Sequence, residues 1–207
     1  MIPFIPVLMP PPGQTEQQVI PWNDTVRQSG VIRVFVGHGL RGSQWAGIAG
    51  QAVAAVNGEL SNKSIRVVIK LTDKASEAEA MLDTTPGNDL HGQSLLDTGG
   101  TAYIQKVTIK VPATPRVSSL DPKAREAGRG VRLYIVAHEL IHTLGLTNAA
   151  HSRDDVFTKN PGLLQKGLVM GGKMVAEDMV RSFDLSAVMP PIRLGAATLA
   201  NLQKAWP

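Results

Sequence analysis

Two periodicities run along this chain. Two β-branched runs, Val31–Val36 (VIRVFV) and residues 65–71 (IRVVIKL), are bounded by glycine or polar residues and predict largely buried, central strands. Between them Trp45, Ile48, Ala49, Ala52, Val53 and Val56 recur at helical spacing, with Ser43 as N-cap and Asn57-Gly58 as the C-terminal stop. A parallel pair needs a crossover of about a dozen residues, so the spacing predicts a right-handed strand–helix–strand unit. In residues 102–111, Tyr103, Gln105, Val107, Ile109 and Val111 fall on one side and Ile104, Lys106, Thr108 and Lys110 on the other. That alternation predicts a half-exposed antiparallel or edge strand. Residues 75–82 read as a short helix, and a strand is expected within residues 90–96.

In the second half, residues 131–144 predict a helix ended by Gly145, and Leu199, Leu202 and Trp206 form the apolar stripe of a terminal helix. Residues 112–122 form a connection rich in proline and serine, where Asp121-Pro122 starts a helical turn that Gly128 and Gly130 interrupt. Residues 168–175 predict a small hairpin turning at Gly171-Gly172.

Composition narrows the class. An apolar share of 43% against 18% charged residues excludes intrinsic disorder, and 207 residues suit one domain with one core. Residues 1–20 are set apart as a Pro-rich arm, carrying Pro3, Pro6, Pro10, Pro11 and Pro12, that packs on the domain or hangs free. The sharper alternative is a partner-binding or self-inhibiting arm. Its start has no basic residue and makes a poor secretory signal, and no segment has the length of a membrane span. A soluble protein is expected, in a compartment left open between leaderless export, release by lysis and association with a virus particle. The chain has no cysteine, so any metal must rest on His, Asp or Glu. The net charge of +4 is scattered, which predicts no nucleic-acid partner.

Candidate chemistry lies in the 131–144 helix, where His138-Glu139-Leu140-Ile141-His142 is an HExxH motif. Positions four apart stack on one helix face, so both imidazoles can reach one metal ion. Glu139 stands about 100° round the helix and can approach a water held by that ion without being a ligand. With the water's pKa lowered to about 7, the carboxylate can take its proton during attack on a carbonyl. The remaining histidines, His38 and His91, and the basic group Lys123, Arg125, Arg129 and Arg132 read as surface features.

The run continues as HELIHTLGLTNAAH and resembles the metzincin superfamily of zinc endopeptidases, whose pattern is HExxHxxGxxH or HExxHxxGxxD followed by a methionine turn. Gly145 matches the glycine at which the chain leaves the helix. The third-ligand position falls on Asn148, a poor zinc donor, so the resemblance implies a lengthened loop in which His151 binds zinc, with Asp154 and Asn148 in reserve. For the methionine turn it implies Met189 in AVMPPI, as in matrixin-type members, with Met170 as the alternative. It also implies that an edge strand drawn from residues 90–111 aligns an extended peptide. The only tyrosines are Tyr103 and Tyr134, so no tyrosine follows the methionine turn as in astacin-like members.

The resulting expectation is an α/β (α+β) zincin of metzincin type: a mixed, mostly parallel twisted sheet, two main helices, an irregular lower part and a C-terminal helix. Residues 21–207 form the single catalytic domain, the upper part running to about residue 145 and the lower part over residues 146–207. The expected function is zinc-dependent endopeptidase with Zn2+ as cofactor, a protein or peptide substrate, no nucleic-acid or membrane partner and a monomeric state. The competing expectations are a non-proteolytic zinc-containing binding module of the same fold and zinc-dependent hydrolysis of a non-peptide amide.

Overall fold

The computed structural model describes residues 17–88, 91–116, 126–150, 156–157, 169–170, 173–174 and 192–207. Its centre is a five-stranded, mostly parallel sheet in the order β2-β1-β3-β5-β4, built from β1 (Val31–Val36), β2 (Val68–Thr72), β3 (Ala80–Thr85), β4 (Gln93–Asp97) and β5 (Lys106–Pro112). The first, second, third and fifth strands run parallel, and β4 pairs antiparallel with β5, Ser94 standing opposite Ile109. Short helices α1 (Asp24–Ser29) and α2 (His38–Arg41) flank β1, while α3 (Ile48–Asn62) and α4 (Arg129–Thr143) are the two long helices. The chain ends in α5 (Ala196–Ala205). The core lies where the inward residues of the sheet, Ile32, Val34, Ile69, Ala80, Leu82, Val107, Ile109 and Val111, meet Ile48, Ala52, Val56, Val136 and Leu140 of the long helices. Among the described residues, no helix is long and apolar enough to cross a membrane.

The strand–helix–strand unit is present, with three differences from the sequence pattern. First, β2 is an edge strand, and its apolar run leaves Val68 and Leu71 exposed. Second, the helix between the strands starts after Gly47 and runs through Asn57-Gly58 to Asn62. Ser43 instead stabilises the preceding turn, its Oγ accepting from the Trp45 amide at 3.2 Å. Asn57 does not stop the helix because its carboxamide reaches sideways to β2, donating to Ile69 O at 2.8 Å and accepting from Ile69 N at 2.9 Å. Third, residues 75–82 are a 3-10 turn, Ala75–Glu77, followed by the start of β3. Ala80 and Leu82 are fully buried with half-buried Met81 between them, a strand alternation that two neighbouring strands enforce.

The alternation in residues 102–111 correctly places Val107, Ile109 and Val111 inward, but β5 lies inside the sheet and the antiparallel edge is β4. The hairpin expected over 168–175 appears as the antiparallel pair β6 (Val169–Met170) and β7 (Lys173–Met174), with Gly171-Gly172 outside the described residues. Gly128 caps α4 and Gly130 lies inside it, while Asp121-Pro122 falls outside the described residues.

Candidate metal and catalytic site

Nearly all residues of helix α4 are buried, with Arg129 exposed and His138 half-buried, and its C-terminal end is held by the rest of the chain. At the C-terminal end the last carbonyls of a helix lack intrahelical partners. Here Trp22 Nε1 donates to Thr143 O at 2.7 Å and Trp206 Nε1 to Leu144 O at 2.9 Å, so indoles from both ends of the chain close the helix. Gly145 then turns the chain at φ +97°, a backbone region open to glycine, and a Cβ there would lie 2.5 Å from Ile20 O. Residues 17–22 cross this turn: Ile20 N donates to Gly145 O at 2.8 Å, Val19 bridges Leu146, and Thr147 Oγ1 donates to Gln17 O at 2.7 Å. This part of the N-terminal arm packs on the domain; residues 1–16 lie outside the described residues.

The motif's side chains share one stretch of this helix. The His138 and His142 rings stand 5.3 Å apart between centroids, tilted by 59°. His142 is buried, and its Nδ1 lies 2.7 Å from Leu146 O. A carbonyl oxygen only accepts, so Nδ1–H is the donor and Nε2 is the nitrogen left to face a metal. A backbone carbonyl orienting the far nitrogen is the usual support for a metal-binding histidine.

Glu139 is 4% exposed. Burial pushes its carboxyl up to about 7, against the opposing pull of the hydrogen bond that Ser94 Oγ donates to Oε2 at 2.7 Å. The backbone of Gly92 also presses on it, since a Cβ at position 92 would lie 2.5 Å from Glu139 Cγ, 2.8 Å from Cδ and 2.9 Å from Oε1. The carboxylate is therefore tucked against the beginning of edge strand β4.

The donor set on α4 fits zinc: two imidazoles on successive turns, one of them oriented by a carbonyl, on the same helix as a carboxylate held by another element. Among the described residues, no group of three His, Asp or Glu side chains converges, so the third ligand must come from elsewhere if zinc binds. Asn148 is exposed on the 3-10 turn Asn148–Ala150. His151 and Asp154 lie outside the described residues, as does Met189; Met170 is in β6, its side chain undescribed. The chain leading to His151 is anchored, because Ala150 is buried and its carbonyl accepts from Asn201 Nδ2 of α5 at 3.0 Å.

Arg193 and Leu194 are fixed as well. Glu59 of α3, 3% exposed, accepts from Leu194 N and from Arg193 Nη1, each at 3.1 Å. Phe157 bridges Leu194 and packs edge-on against Tyr134 of α4, with ring centroids 5.3 Å apart.

Of the residues expected on the surface, His38, His91 and Arg129 are exposed. Arg132 is a correction: it is 3% exposed, with its guanidinium 5.6 Å from the Trp45 ring centroid and an ion pair to Glu126 at 3.0 Å. Burial lowers its pKa, and Glu126 acts in the opposite direction. Lys123 and Arg125 lie outside the described residues.

Ser94 and Gly92 were not legible as site residues. They stand 45 and 47 positions before Glu139, in a segment whose only sequence signal is a weak strand pattern. In comparisons with known proteins, the chain matches no family model and no curated protein sequence.

Proposed function

We propose that this chain is a zinc-dependent endopeptidase of metzincin type. The observation that carries the proposal is a buried carboxylate, Glu139, hydrogen-bonded to the edge strand of the sheet and carried on the same helix as the His138 and His142 rings, which stand 5.3 Å apart. His138 and His142 would hold the metal, together with a third ligand from the chain after Ala150, His151 before Asp154 or Asn148. A zinc ion in this place supplies Lewis acidity, polarising a carbonyl oxygen and acidifying water.

The rest of the chemistry belongs to the chain. Glu139 takes the proton of the attacking water and passes it to the leaving nitrogen. A carboxyl pushed up to about 7 is suited to both roles, because a group titrating near the working pH accepts and returns protons with little cost. Met189 would supply the methionine turn of this type.

The two sheet edges differ in a way that favours a peptide substrate. On the β2 edge the Asn57 carboxamide already satisfies both backbone groups of Ile69. Among the described residues, no segment pairs with the outer edge of β4. An extended peptide can add there as a further strand, with main-chain hydrogen bonds holding it over Glu139. The mostly parallel sheet with one antiparallel edge strand and two long helices supports the same type.

The test is cleavage of a proteome-derived peptide library by zinc-loaded protein, with Glu139→Ala and a chelator in parallel. Cuts confined to the zinc-loaded parent protein are expected. No cuts from folded, zinc-containing protein would overturn the proposal and leave the non-proteolytic binding module.

A further inference from the structure

Ser94 stands outside the motif helix, yet among the described residues its hydroxyl is the one side-chain group hydrogen-bonded to the Glu139 carboxylate. It lies in β4 opposite Ile109, on the half-buried side of a strand whose alternate residues Gln93, Leu95 and Asp97 are exposed. Ser94 Oγ is 2.7 Å from Glu139 Oε2 and 3.2 Å from the Glu139 carbonyl oxygen. The hydroxyl has one proton to donate, and the shorter approach to a carboxylate is the stronger bond. Gly92, two residues earlier and just before β4, closes the other side: a Cβ there would touch Glu139 Cγ, Cδ and Oε1. A carboxylate held between a hydroxyl and a bare glycine backbone has little freedom to rotate.

We infer that Ser94 is a positioning residue for Glu139. Its hydroxyl holds Oε2 and so assigns Oε1 to the proton taken from water and passed to the leaving nitrogen; Ser94 keeps its own proton throughout. The inference rests on the endopeptidase proposal and adds a physical link to it. The strand that would align the peptide is also the strand that aims the base, so substrate register and base position are set by one element.

The experiment uses the full chain with Ser94→Ala, and the isosteric pair Ser94→Thr and Ser94→Val as a second comparison that keeps side-chain shape constant in case alanine disturbs folding. In zinc-loaded protein of equal metal content, Ser94→Ala is expected to lower kcat about tenfold with KM little changed, which is the loss of one hydrogen bond at the reacting group. Ser94→Thr should stay close to the parent while Ser94→Val falls with alanine. A second readout needs no activity: in chelator-treated protein, Ser94→Ala should lower Tm by about 2–4 °C in the parent background and by clearly less in a Glu139→Ala background, where only the backbone carbonyl of residue 139 remains as acceptor. A kcat for Ser94→Ala and Ser94→Val equal to that of an active parent would overturn the inference, as would the same Tm loss in both backgrounds. An inactive zinc-loaded parent would instead overturn the endopeptidase proposal, and the Tm cycle would still report whether Ser94 engages Glu139.

Discussion

Gly92 approaches Glu139 so closely that a Cβ on residue 92 would stand 2.5 Å from Cγ of the glutamate. Glu139 is 4% exposed and bonded to Ser94 on its other side, so it cannot yield without leaving its place. Gly92→Ala is therefore expected to displace the carboxylate while sparing both imidazoles. A shift of about 1 Å at a reacting group costs on the order of 100-fold in turnover. Steady-state rates measured beside zinc stoichiometry check this: activity should fall by one to two orders of magnitude with metal content intact. Parent-like turnover in Gly92→Ala would show that Glu139 acts from some other position.

The raised pKa of Glu139 also has a consequence for stability, best seen in chelator-treated protein. Its carboxyl moves from an ordinary 4.5 to about 7 because burial disfavours the charge. As pH rises from 4.5 to 7, the unfolded chain ionises this group while the folded chain keeps it protonated. The unfolded state then binds fewer protons, and stability falls across that window. Above 7 both states are ionised and the loss is complete, at about 3 kcal/mol. Glu139→Gln removes the ionisation, so its stability relative to the parent should improve by roughly that amount between pH 4.5 and pH 8. Urea unfolding of both proteins at the two pH values measures it, and a difference independent of pH would refute the burial argument.

How much of this was written in local sequence varies with the element. β1 was legible as a short β-branched run and α4 as an apolar run ended by Gly145, and the two histidines come together through helix geometry alone. The start of β3 falls inside the helix expected over residues 75–82, a window rich in alanine and glutamate; its strand character comes from pairing with β1 and β5, which no local window contains. The extent of α3 was hidden for a similar reason, since Asn57 looks like a stop until β2 is in place to receive its carboxamide. In the site, Glu139 was legible, but Ser94 and Gly92 were not, because only the fold of β4 against α4 brings them to it.

Two His ligands alone do not hold a catalytic zinc, so the third donor decides whether the site binds metal tightly. Asn148 is exposed on its 3-10 turn and offers only an amide oxygen or nitrogen, whereas His151 follows directly on the anchored Ala150. His151→Ala is expected to weaken zinc binding by at least about 100-fold, with Asn148→Ala and Asp154→Ala near the parent value. Competition with a chromophoric chelator gives the three affinities. Loss on Asp154→Ala and none on His151→Ala would move the third ligand to the aspartate.

The end of α4 offers a separate test of how Trp22 and Trp206 support the motif helix. Thr143 O and Leu144 O are the carbonyls released where the helix stops, and each accepts a single indole N–H, from Trp22 and Trp206 respectively. Trp22 is 1% exposed and Trp206 6%, so water cannot take over either role. Trp22→Phe and Trp206→Phe keep an aromatic ring but delete the donor, leaving a buried acceptor without a partner at a cost of about 1–3 kcal/mol each. Some loss of ring volume adds to this in both variants. Because the carbonyls are adjacent and share one helix end, the double variant should depart from the sum of the singles, since fraying caused by either loss exposes the other carbonyl to water. Urea unfolding of the three variants measures both quantities. Single losses below about 0.5 kcal/mol would mean that the indoles fill space at the helix end without holding its carbonyls.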